Sequence, residues 1–382
     1  MQHLLLTGGS GLLGSQLLAR LLLQGRQVAV LVRPKASTSA TERIESLLIE
    51  QEERLGTTLT RPVILEGELT LPLCGLSDTD VAWIRRSCTG VIHSAASLKF
   101  IGHDKTADPW RTNVAGTCTL LELAARAQLK EFHHISTAYV CGLSAGQVDE
   151  VPSTTGPGFR NDYEASKHEA EWLIRHAGFL DRPTFLRPAV IVGDSQTGAT
   201  STYHGLMAML QLMTVIAKNV PADETGFRYL PMRLSMTGDE KRNLVPVDWV
   251  AEAIARLIDD PRARGRTIHL APRRPITSRE VIEFASSYLN PGGLGGFTFC
   301  GPAKPDDLND IEEAAYAAKG LYEGYEQTDP TFMTTTIDTL LPDLPCPVID
   351  EAMIHRFLSY GEADQWGRRR KVRRKAKNPD QT

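Results

Sequence analysis

Cysteine pairs, long apolar runs and an excess of one charge are all missing from this chain of 382 residues. Its six cysteines stand singly and none forms a CxxC pair, which excludes a zinc ribbon and a thioredoxin-like redox pair. The longest apolar stretch, 206–217, is too short to cross a bilayer. The formal net charge of -4 provides no global field that would select nucleic acid.

Secretory, hydrolytic and metal-binding signals are missing as well. No basic start precedes a signal-like apolar run, and sparse thiols are typical of a reducing compartment, so we predict a cytoplasmic protein. The chain has no Gly-x-Ser-x-Gly elbow and no HExxH motif, and the neighbours His133 and His134 point to opposite faces of a strand. The sequence therefore predicts neither a serine hydrolase nor a metal site.

What the chain does have is a regular alternation of strand and helix patterns up to residue 193. Short runs that predict strands covered on both faces lie at 3–6, 28–32, 63–65, 90–93, 132–135 and 184–187. Helical patterns separate them, as at 12–23, 112–127 and 163–176. This alternation predicts an α/β fold with a doubly wound parallel sheet. Beyond residue 193 it breaks down, which predicts a smaller, mostly helical C-terminal lobe that binds substrate.

A glycine-rich segment, TGGSGLLG at 7–14, lies between the first strand and the first helix. Gly8 would permit a tight turn, Gly11 would let the backbone approach a pyrophosphate, and Gly14 would allow close packing of helix on strand. A glycine turn that binds nothing is the alternative, and its place on the first βα turn argues against that. We predict a Rossmann-type site. Its phosphate-side contacts would be Thr7, Gly8, Gly9, Ser10, Gly11, Leu12, Leu13 and Gly14.

A cation follows the second strand, where NAD enzymes usually carry an acidic residue for the ribose hydroxyls. Arg33, with Lys35 nearby, could instead pair with a 2′-phosphate, which a carboxylate would repel. The alternative is an ordinary surface arginine. On this basis we predict NADP(H) rather than NAD(H) as the cofactor.

Two further strand ends supply candidate cofactor contacts. Glu68 and Leu69 follow the third strand, where Glu68 could accept a hydrogen bond from the adenine amino group or be a solvated loop carboxylate. Ser94, Ala95 and Ala96 follow the fourth strand, and their small side chains suit the close approach of a cofactor ribose.

Tyr163 and Lys167 lie one turn apart on one face of a predicted helix. An ammonium near a phenol lowers the pKa of that phenol, so the pair could exchange a proton with a carbonyl oxygen. Thr137, at a strand end, could stabilise an oxyanion or simply cap the backbone. Asn113 could cap the helix that follows it, or hold a group that supports Lys167. Taken alone, the Tyr/Lys spacing is also typical of a surface helix.

Five strings, in this order, carry a family resemblance: TGGSGLLG, HSAAS, STAYV, YEASK and RPAVIVGD. Together they resemble the extended short-chain dehydrogenases/reductases. The strings VLVR, GELTLPLCGLS and NLVPVDWVAEAI are most similar to the male sterility-type branch, which holds thioester reductase domains and fatty acyl-CoA reductases. The resemblance covers about residues 1–270.

The resemblance implies site residues and a domain arrangement. It implies a catalytic set of Thr137, Tyr163 and Lys167, and it places Pro188 and Val190 by the nicotinamide. Glu68 stands where the family often has Asp. We expect an NADP-binding domain at 1–200, to which 243–272 return, and a substrate-binding lobe at 201–242 and 273–365. A basic, disordered tail would follow at 366–382.

The implied reaction is NADPH-dependent reduction of an acyl thioester, on coenzyme A or a carrier, to an aldehyde or alcohol. A Met-rich helix at 205–217 could line an acyl channel or be ordinary core. The basic tail could contact an acidic carrier protein or a membrane surface, or have no specific role. No specific nucleic acid is expected, and the oligomeric state stays open.

Three alternative functions remain beside this one. A nucleotide-sugar epimerase or dehydratase, or an alcohol or sterol dehydrogenase, would use the same Tyr/Lys pair. Arg33 argues against the nucleotide-sugar enzymes, which usually retain NAD. A non-catalytic NADP-binding regulator would have no need of Thr137, Tyr163 and Lys167.

Overall fold

The computed structural model describes residues 2–34, 38–153, 158–290, 292–319 and 327–368. Lys35 and residues 369–382 of the predicted tail lie outside the described residues, whereas Gln365–Gly367 form a short 3-10 helix, so the predicted disorder does not begin at residue 366. The chain forms two compact units. The first comprises Met1–Ala189, Val247–Ala271 and Phe332–Pro345, and the second comprises Val190–Pro246, Pro272–Thr331 and Cys346–Thr382. No helix in the described ranges has the length and apolar character needed to span a bilayer.

The first unit is an α/β layer structure, whose elements are numbered here in chain order. Its strands are β1 His3–Thr7, β2 Gln27–Val32, β3 Val63–Glu66, β4 Cys88–His93, β5 Glu131–Ile135, β6 Gln147–Val148, β7 Thr184–Pro188 and β12 Thr267–Leu270. Its helices are α1 Leu12–Leu23, α2 Ala40–Leu55, α3 Asp78–Ser87, α4 Gly116–Arg126, α5 Asp162–Arg175, α7 Val247–Asp259 and α10 Thr335–Leu340. A further short strand, β15 Thr331–Phe332, spans the boundary between the units.

Seven of these strands form one parallel sheet in the order β12-β7-β5-β4-β1-β2-β3. The chain runs outward from β1 to β3, returns to β4 and then runs outward the other way. The switch point of this doubly wound sheet therefore lies between β1 and β4, where ligands bind at the carboxyl ends of strands. The predicted fold class is confirmed.

Local sequence signals explain where the elements begin. β1 and β2 are buried along almost their whole length, as expected for strands covered by helices on both faces. Capping boxes start two of the helices: Ser39 with Glu42 at α2, and Ser77 with Asp80 at α3. The apolar core of this unit includes Leu5, Val91, Leu120, Phe132 and Phe185.

The second unit is smaller and mixed. Its strands are β8 Val190–Val192, β9 Arg228–Leu234, β10 Lys241–Arg242, β11 Leu244–Pro246, β13 Ile276–Thr277 and β14 Leu294–Phe299. Its helices are α6 Leu206–Asn219, α8 Ser278–Leu289, α9 Asp310–Lys319 and α11 Glu351–Ala363. β9 and β14 pair in parallel, although the sequence pattern there resembles a loop and a glycine-rich break. Strands of this kind are hard to predict because glycine weakens the periodic signal.

The methionines of α6 belong to the core of this unit. Met207 is buried, and Met209 and Met213 pack against the same cluster as Leu210 and Phe357. Core packing therefore accounts for these three side chains, and the described contacts give no support to the predicted acyl channel along α6.

The unit boundaries differ from the predicted domains in three places. Residues 190–200 and 243–246 group with the second unit, because β8 pairs with β11. Residues 332–345 group with the first unit rather than with the C-terminal lobe. In that segment the Leu344 carbonyl accepts a hydrogen bond from Trp249 at 3.1 Å, and the Thr336 N–H donates to Glu150 at 2.8 Å.

Candidate active site

The ends of β1 and β4 meet at the switch point through a buried histidine. Thr7 and His93 are partners in register, and the Thr7 hydroxyl lies 2.8 Å from His93 Nδ1. Thr117 Oγ1 lies 3.1 Å from His93 Nε2 and donates its own proton to the Asn113 carbonyl at 2.6 Å. The Ala95 N–H donates to Thr7 Oγ1 at 3.2 Å.

The donor and the acceptor in each of these hydrogen bonds can be assigned. Because the Thr117 proton goes to a carbonyl, His93 Nε2 must donate to Thr117, and His93 Nδ1 must accept from Thr7. Burial, and secondarily the charge of Lys167, lowers the pKa of His93 to about 3, so the imidazole stays neutral. His93 thus fixes the two loops of the switch point to each other and to the start of α4.

The glycine loop is packed too tightly against backbone atoms for side chains at two of its positions, Gly8 and Gly14. Gly8 has φ +75°, and a Cβ there would lie 2.6 Å from Ala95 N. A Cβ on Gly14 would lie 2.0 Å from the Gly8 carbonyl oxygen, so this glycine serves packing of the helix against the loop. At Gly11 the nearest atom would be 3.4 Å away, and this exposed residue precedes α1 without a side-chain cap. The first turn of α1 therefore presents its backbone donors to an external anion.

Two arginines lie at the far end of this loop. Arg33 is 62% exposed, and its Nε lies 3.6 Å from the Glu68 carboxylate. Arg43, in the first turn of α2, donates to the Arg33 carbonyl at 2.6 Å and to Ser10 Oγ at 2.9 Å. The sequence prediction missed Arg43, since an arginine in a helix is ordinarily a surface residue. Its contacts place a second guanidinium beside the loop and beside Arg33.

The remaining predicted cofactor residues lie in four different environments. Leu69 is buried in the core, and its carbonyl accepts a hydrogen bond from Thr119. Ser94, Ala95 and Ala96 are partly exposed in the loop after β4. Pro188 ends β7 in the first unit. Val190 begins β8 in the second unit, where it pairs with Leu244.

The predicted catalytic residues meet at the end of β5 and the start of α5. Asn161 caps α5 and so begins the helix just before Tyr163. Thr137 lies two residues beyond β5, where its hydroxyl accepts a hydrogen bond from the Tyr139 N–H. Burial and the nearby Glu164 charge raise the pKa of Tyr163, while a hydrogen bond with Thr137 acts in the opposite direction. At neutral pH Tyr163 is thus a protonated phenol beside a second hydroxyl.

Lys167 is only 2% exposed, and its ammonium is held by β5. Nζ donates to the Ile135 carbonyl at 2.7 Å and lies 3.2 Å from His134 Nε2. Burial lowers the pKa of Lys167 to about 7, although the charge of Glu171 opposes this shift. The partners of Nζ among the described residues are thus on β5, and the predicted pairing with the phenol is not formed directly.

Of the two roles predicted for Asn113, the structure contradicts the helix cap. It lies inside a π-helical turn, Arg111–Ala115, so it does not cap the helix. Its side chain accepts from the Ser97 N–H at 2.8 Å and donates to the Ser97 carbonyl at 3.0 Å and to Ser166 Oγ at 2.9 Å. Asn113 therefore ties the loop after β4 to α5 next to Lys167.

The loop after β4 also carries an apolar surface that the sequence prediction did not identify. Leu98 is 57% exposed and Ile101 is 70% exposed. Phe100 lies between these two residues in the sequence, and its ring is 6.5 Å from the ring of Tyr163. The Phe100 backbone carbonyl accepts a hydrogen bond from the Asp162 N–H at 2.9 Å. The Phe100 ring is thus a neighbour of the tyrosine, and the loop that carries it also exposes two apolar side chains.

Comparison with known proteins agrees with this geometry. The family model described as male sterility protein, an NAD-binding family, matches residues 6–254. The chain belongs to this family. Its members are extended short-chain dehydrogenases/reductases, so the predicted superfamily and the class of NAD(P)-dependent oxidoreductases are confirmed.

Two curated relatives are also similar to this chain in sequence. The nonribosomal peptide synthetase asaC of Aspergillus flavus is 26% identical over 290 residues, which cover 72% of this chain and 26% of the synthetase. Fatty acyl-CoA reductase 1 of Mus musculus is 28% identical over 225 residues, which cover 50% of this chain and 43% of that enzyme. The chain thus spans less than half the length of either relative.

Among solved structures, the terminal R domain from the myxalamid PKS-NRPS biosynthetic pathway has a TM-score of 0.75. It is 24% identical in sequence, and the match covers 96% of this chain and 92% of that domain. At this level of identity the likeness shows the fold.

Proposed function

We propose that this protein is an NADPH-dependent reductase of acyl thioesters. The observation that carries the proposal is the convergence of Thr137, Tyr163 and Lys167 with the glycine loop in one unit, at the carboxyl ends of the sheet. Relatives named as a peptide synthetase and a fatty acyl-CoA reductase support a thioester as the substrate class.

The residues at the switch point fit a dinucleotide. At Gly11 the backbone of the loop is exposed and carries no side chain, and the first turn of α1 offers donors for a pyrophosphate. Arg33 and Arg43 would hold the 2′-phosphate, with Glu68 orienting Arg33. Two guanidiniums at this position favour NADPH over NADH. When bound, NADPH would supply the hydride for the reduction.

The protein's own groups would act at the substrate oxygen. Thr137 and Tyr163 would donate hydrogen bonds to the thioester carbonyl and stabilise the oxyanion that forms there. Because its pKa is raised, Tyr163 keeps its proton at neutral pH and can give it to that oxygen. Lys167 would hold positive charge behind the tyrosine. The hemithioacetal would then collapse to an aldehyde and a thiol.

The substrate surface is assigned to the loop after β4. Leu98 and Ile101 would contact the acyl chain next to Tyr163, since two exposed apolar side chains bury favourably against a hydrocarbon. We further propose that the thioester arrives on coenzyme A or on a separate carrier protein, and that the second unit takes part in binding it.

An NADPH-consumption screen tests the function. The panel would contain acyl-CoAs of several lengths, carrier-bound acyl thioesters, free aldehydes and nucleotide sugars, with products identified by mass spectrometry. We expect oxidation of NADPH with thioesters and release of thiol. Conversion of nucleotide sugars, or reduction of free aldehydes without any reduction of thioesters, would replace the proposal with one of the other functions of the superfamily.

A further inference from the structure

The contact between Lys167 and His134 takes no part in the proposed reaction. Lys167 Nζ lies 3.2 Å from His134 Nε2, and His134 is fully buried on β5. A buried ammonium needs acceptors, because burying a charge without hydrogen bonds is costly. The structure provides two acceptors for Nζ, the Ile135 carbonyl and this imidazole nitrogen.

We propose that His134 is a positioning residue: its neutral imidazole accepts a hydrogen bond from the Lys167 ammonium and holds Nζ against the end of β5. The proposal rests on the proposed function only in taking Lys167 as the catalytic lysine. His134 acts through Lys167 and has no described contact with Tyr163 or Thr137.

The charges around His134 keep it neutral. Lys167 and Arg175 face it from α5, Arg187 from β7, and His93 from β4, where the two imidazole rings lie 5.3 Å apart. Burial and these positive groups lower the pKa of His134 well below its usual value. Glu171 is the acidic group that acts on Lys167 from the same helix. A second proton on His134 would face a cation on several sides, so the proton shared by this pair resides on Lys167.

Neutrality also fixes the tautomer. If Nε2 accepts from the ammonium, the single imidazole proton must be on Nδ1. His134 Nδ1 is buried and has no hydrogen-bond partner among the described residues. An unpaired buried N–H of this kind is destabilising.

Nuclear magnetic resonance of histidine-labelled protein tests the proposal without any substrate. At pH 6, below the pKa of Lys167 near 7, we expect His134 as the Nδ1–H tautomer with an accepting Nε2. Its Nε2 signal should then shift as Lys167 titrates, and this step should vanish in Lys167→Met. His134→Gln identifies the signal. An imidazole that protonates near pH 6.5, or a Nε2–H tautomer at pH 6, would overturn the proposal.

Two substitutions test the consequence for turnover. His134→Leu removes the acceptor and destabilises the ammonium, so the alkaline limb of the kcat–pH profile should move about one pH unit lower. His134→Gln keeps an acceptor near the Nε2 position and should return the limb to within a few tenths of a unit. A folded His134→Leu variant whose limb coincides with that of the wild type contradicts the proposal.

The neighbouring histidine provides the matched control. His133 is equally buried on β5, but it faces the other side of the sheet, where its Nε2 lies 3.1 Å from Glu131. His133→Gln should leave both the His134 signal and the alkaline limb in place. If thioesters are not turned over but the His134 signature is present, the proposed function fails and the positioning of Lys167 stands.

Discussion

Arg187 and Glu171 form a doubly hydrogen-bonded ion pair inside the first unit. Arg187 Nε and Nη2 donate to the two carboxylate oxygens at 2.9 and 2.8 Å, and the side chains are 1% and 3% exposed. Arg187 also donates to the Val151 carbonyl at 3.0 Å, and Arg175 donates to Glu171 at 3.1 Å. Since Glu171 lies one turn beyond Lys167, this pair supports the helix that carries the catalytic residues.

Breaking this pair should destabilise the protein strongly. Arg187→Met leaves the Glu171 carboxylate buried with Arg175 as its hydrogen-bonded cation among the described residues, so we expect a loss of about 3–5 kcal/mol of unfolding free energy. Chemical denaturation at pH 7 measures it. The double variant Arg187→Met/Glu171→Leu removes both charges and should recover most of the loss. If the free energy of unfolding of Arg187→Met were within about 1 kcal/mol of the wild-type value, the ion pair would contribute little to stability.

The same pair predicts a loss of stability in acid. Burial raises the pKa of Glu171, but the Arg187 charge and hydrogen bonds outweigh this and lower it to about 2. A carboxyl with a depressed pKa contributes stability above its ordinary value of 4.5, and this contribution is lost as the pH falls toward 2. In the double variant the part of the acid transition due to Glu171 should be absent.

Lys167 should reduce stability while it serves catalysis. Its pKa of about 7 lies below the ordinary 10.5, so the folded state binds fewer protons between these two values. The cost of the buried ammonium is therefore present in full below pH 7 and disappears toward pH 10.5. Lys167→Met should stabilise the protein by on the order of 2–4 kcal/mol at pH 6, and should abolish turnover. Thermal unfolding at pH 6 and pH 10 measures the difference, and an equal effect at both values would contradict this account.

Much of the fold could be predicted from the sequence because uniformly apolar strands and the first βα turn give strong local signals. β1, β2 and α1 lie where the pattern placed them. The sequence pattern assigns the segment 332–345 to the substrate-binding lobe, whereas it groups with the first unit, because its grouping depends on contacts distant in sequence, such as Trp249 with Leu344.

The candidate site was only partly predictable for the same reason. Tyr163 and Lys167 are detectable because their spacing is set by one helix. Arg43 and His134 are not, because only the tertiary fold brings Arg43 to Ser10 and His134 to Lys167. Asn113 was assigned to a helix start because the π-helical turn that contains it has no sequence signature comparable to a cap.

Tyr163→Phe separates catalysis from cofactor binding. Without its hydroxyl the residue cannot donate a proton, and general acid catalysis of this kind contributes about 10²–10⁴ in rate. We therefore expect kcat to fall by at least about 100-fold, while the Kd for NADPH, measured by fluorescence, stays within twofold. Unchanged turnover would assign the proton transfer to another group and would favour a different role for the site.

Arg43 should determine cofactor choice together with Arg33. Arg43→Ala removes a guanidinium from beside Ser10 and the Arg33 carbonyl, so KM for NADPH should rise by about tenfold, the effect of losing one charge-assisted hydrogen bond. KM for NADH should hardly change, because NADH lacks the 2′-phosphate. Arg61→Ala is a suitable control, since that exposed arginine pairs with Glu45 and Glu52 on α2, the helix that also carries Arg43. Equal losses with both cofactors would place Arg43 in a structural role instead.

Leu98 and Ile101 should set the preference for acyl chain length. The double variant Leu98→Ser/Ile101→Ser removes apolar surface from the loop that carries Phe100, and each lost methylene contact with substrate is worth up to about 0.8 kcal/mol. KM for a long-chain acyl-CoA should therefore rise by about tenfold or more, whereas KM for acetyl-CoA and Kd for NADPH should stay close to the wild-type values. Leu143→Ser, at another half-exposed leucine of the first unit, provides the control for a general loss of surface apolarity. A rise that is the same for long and short chains would mean that the loop shapes the site without contacting the acyl chain.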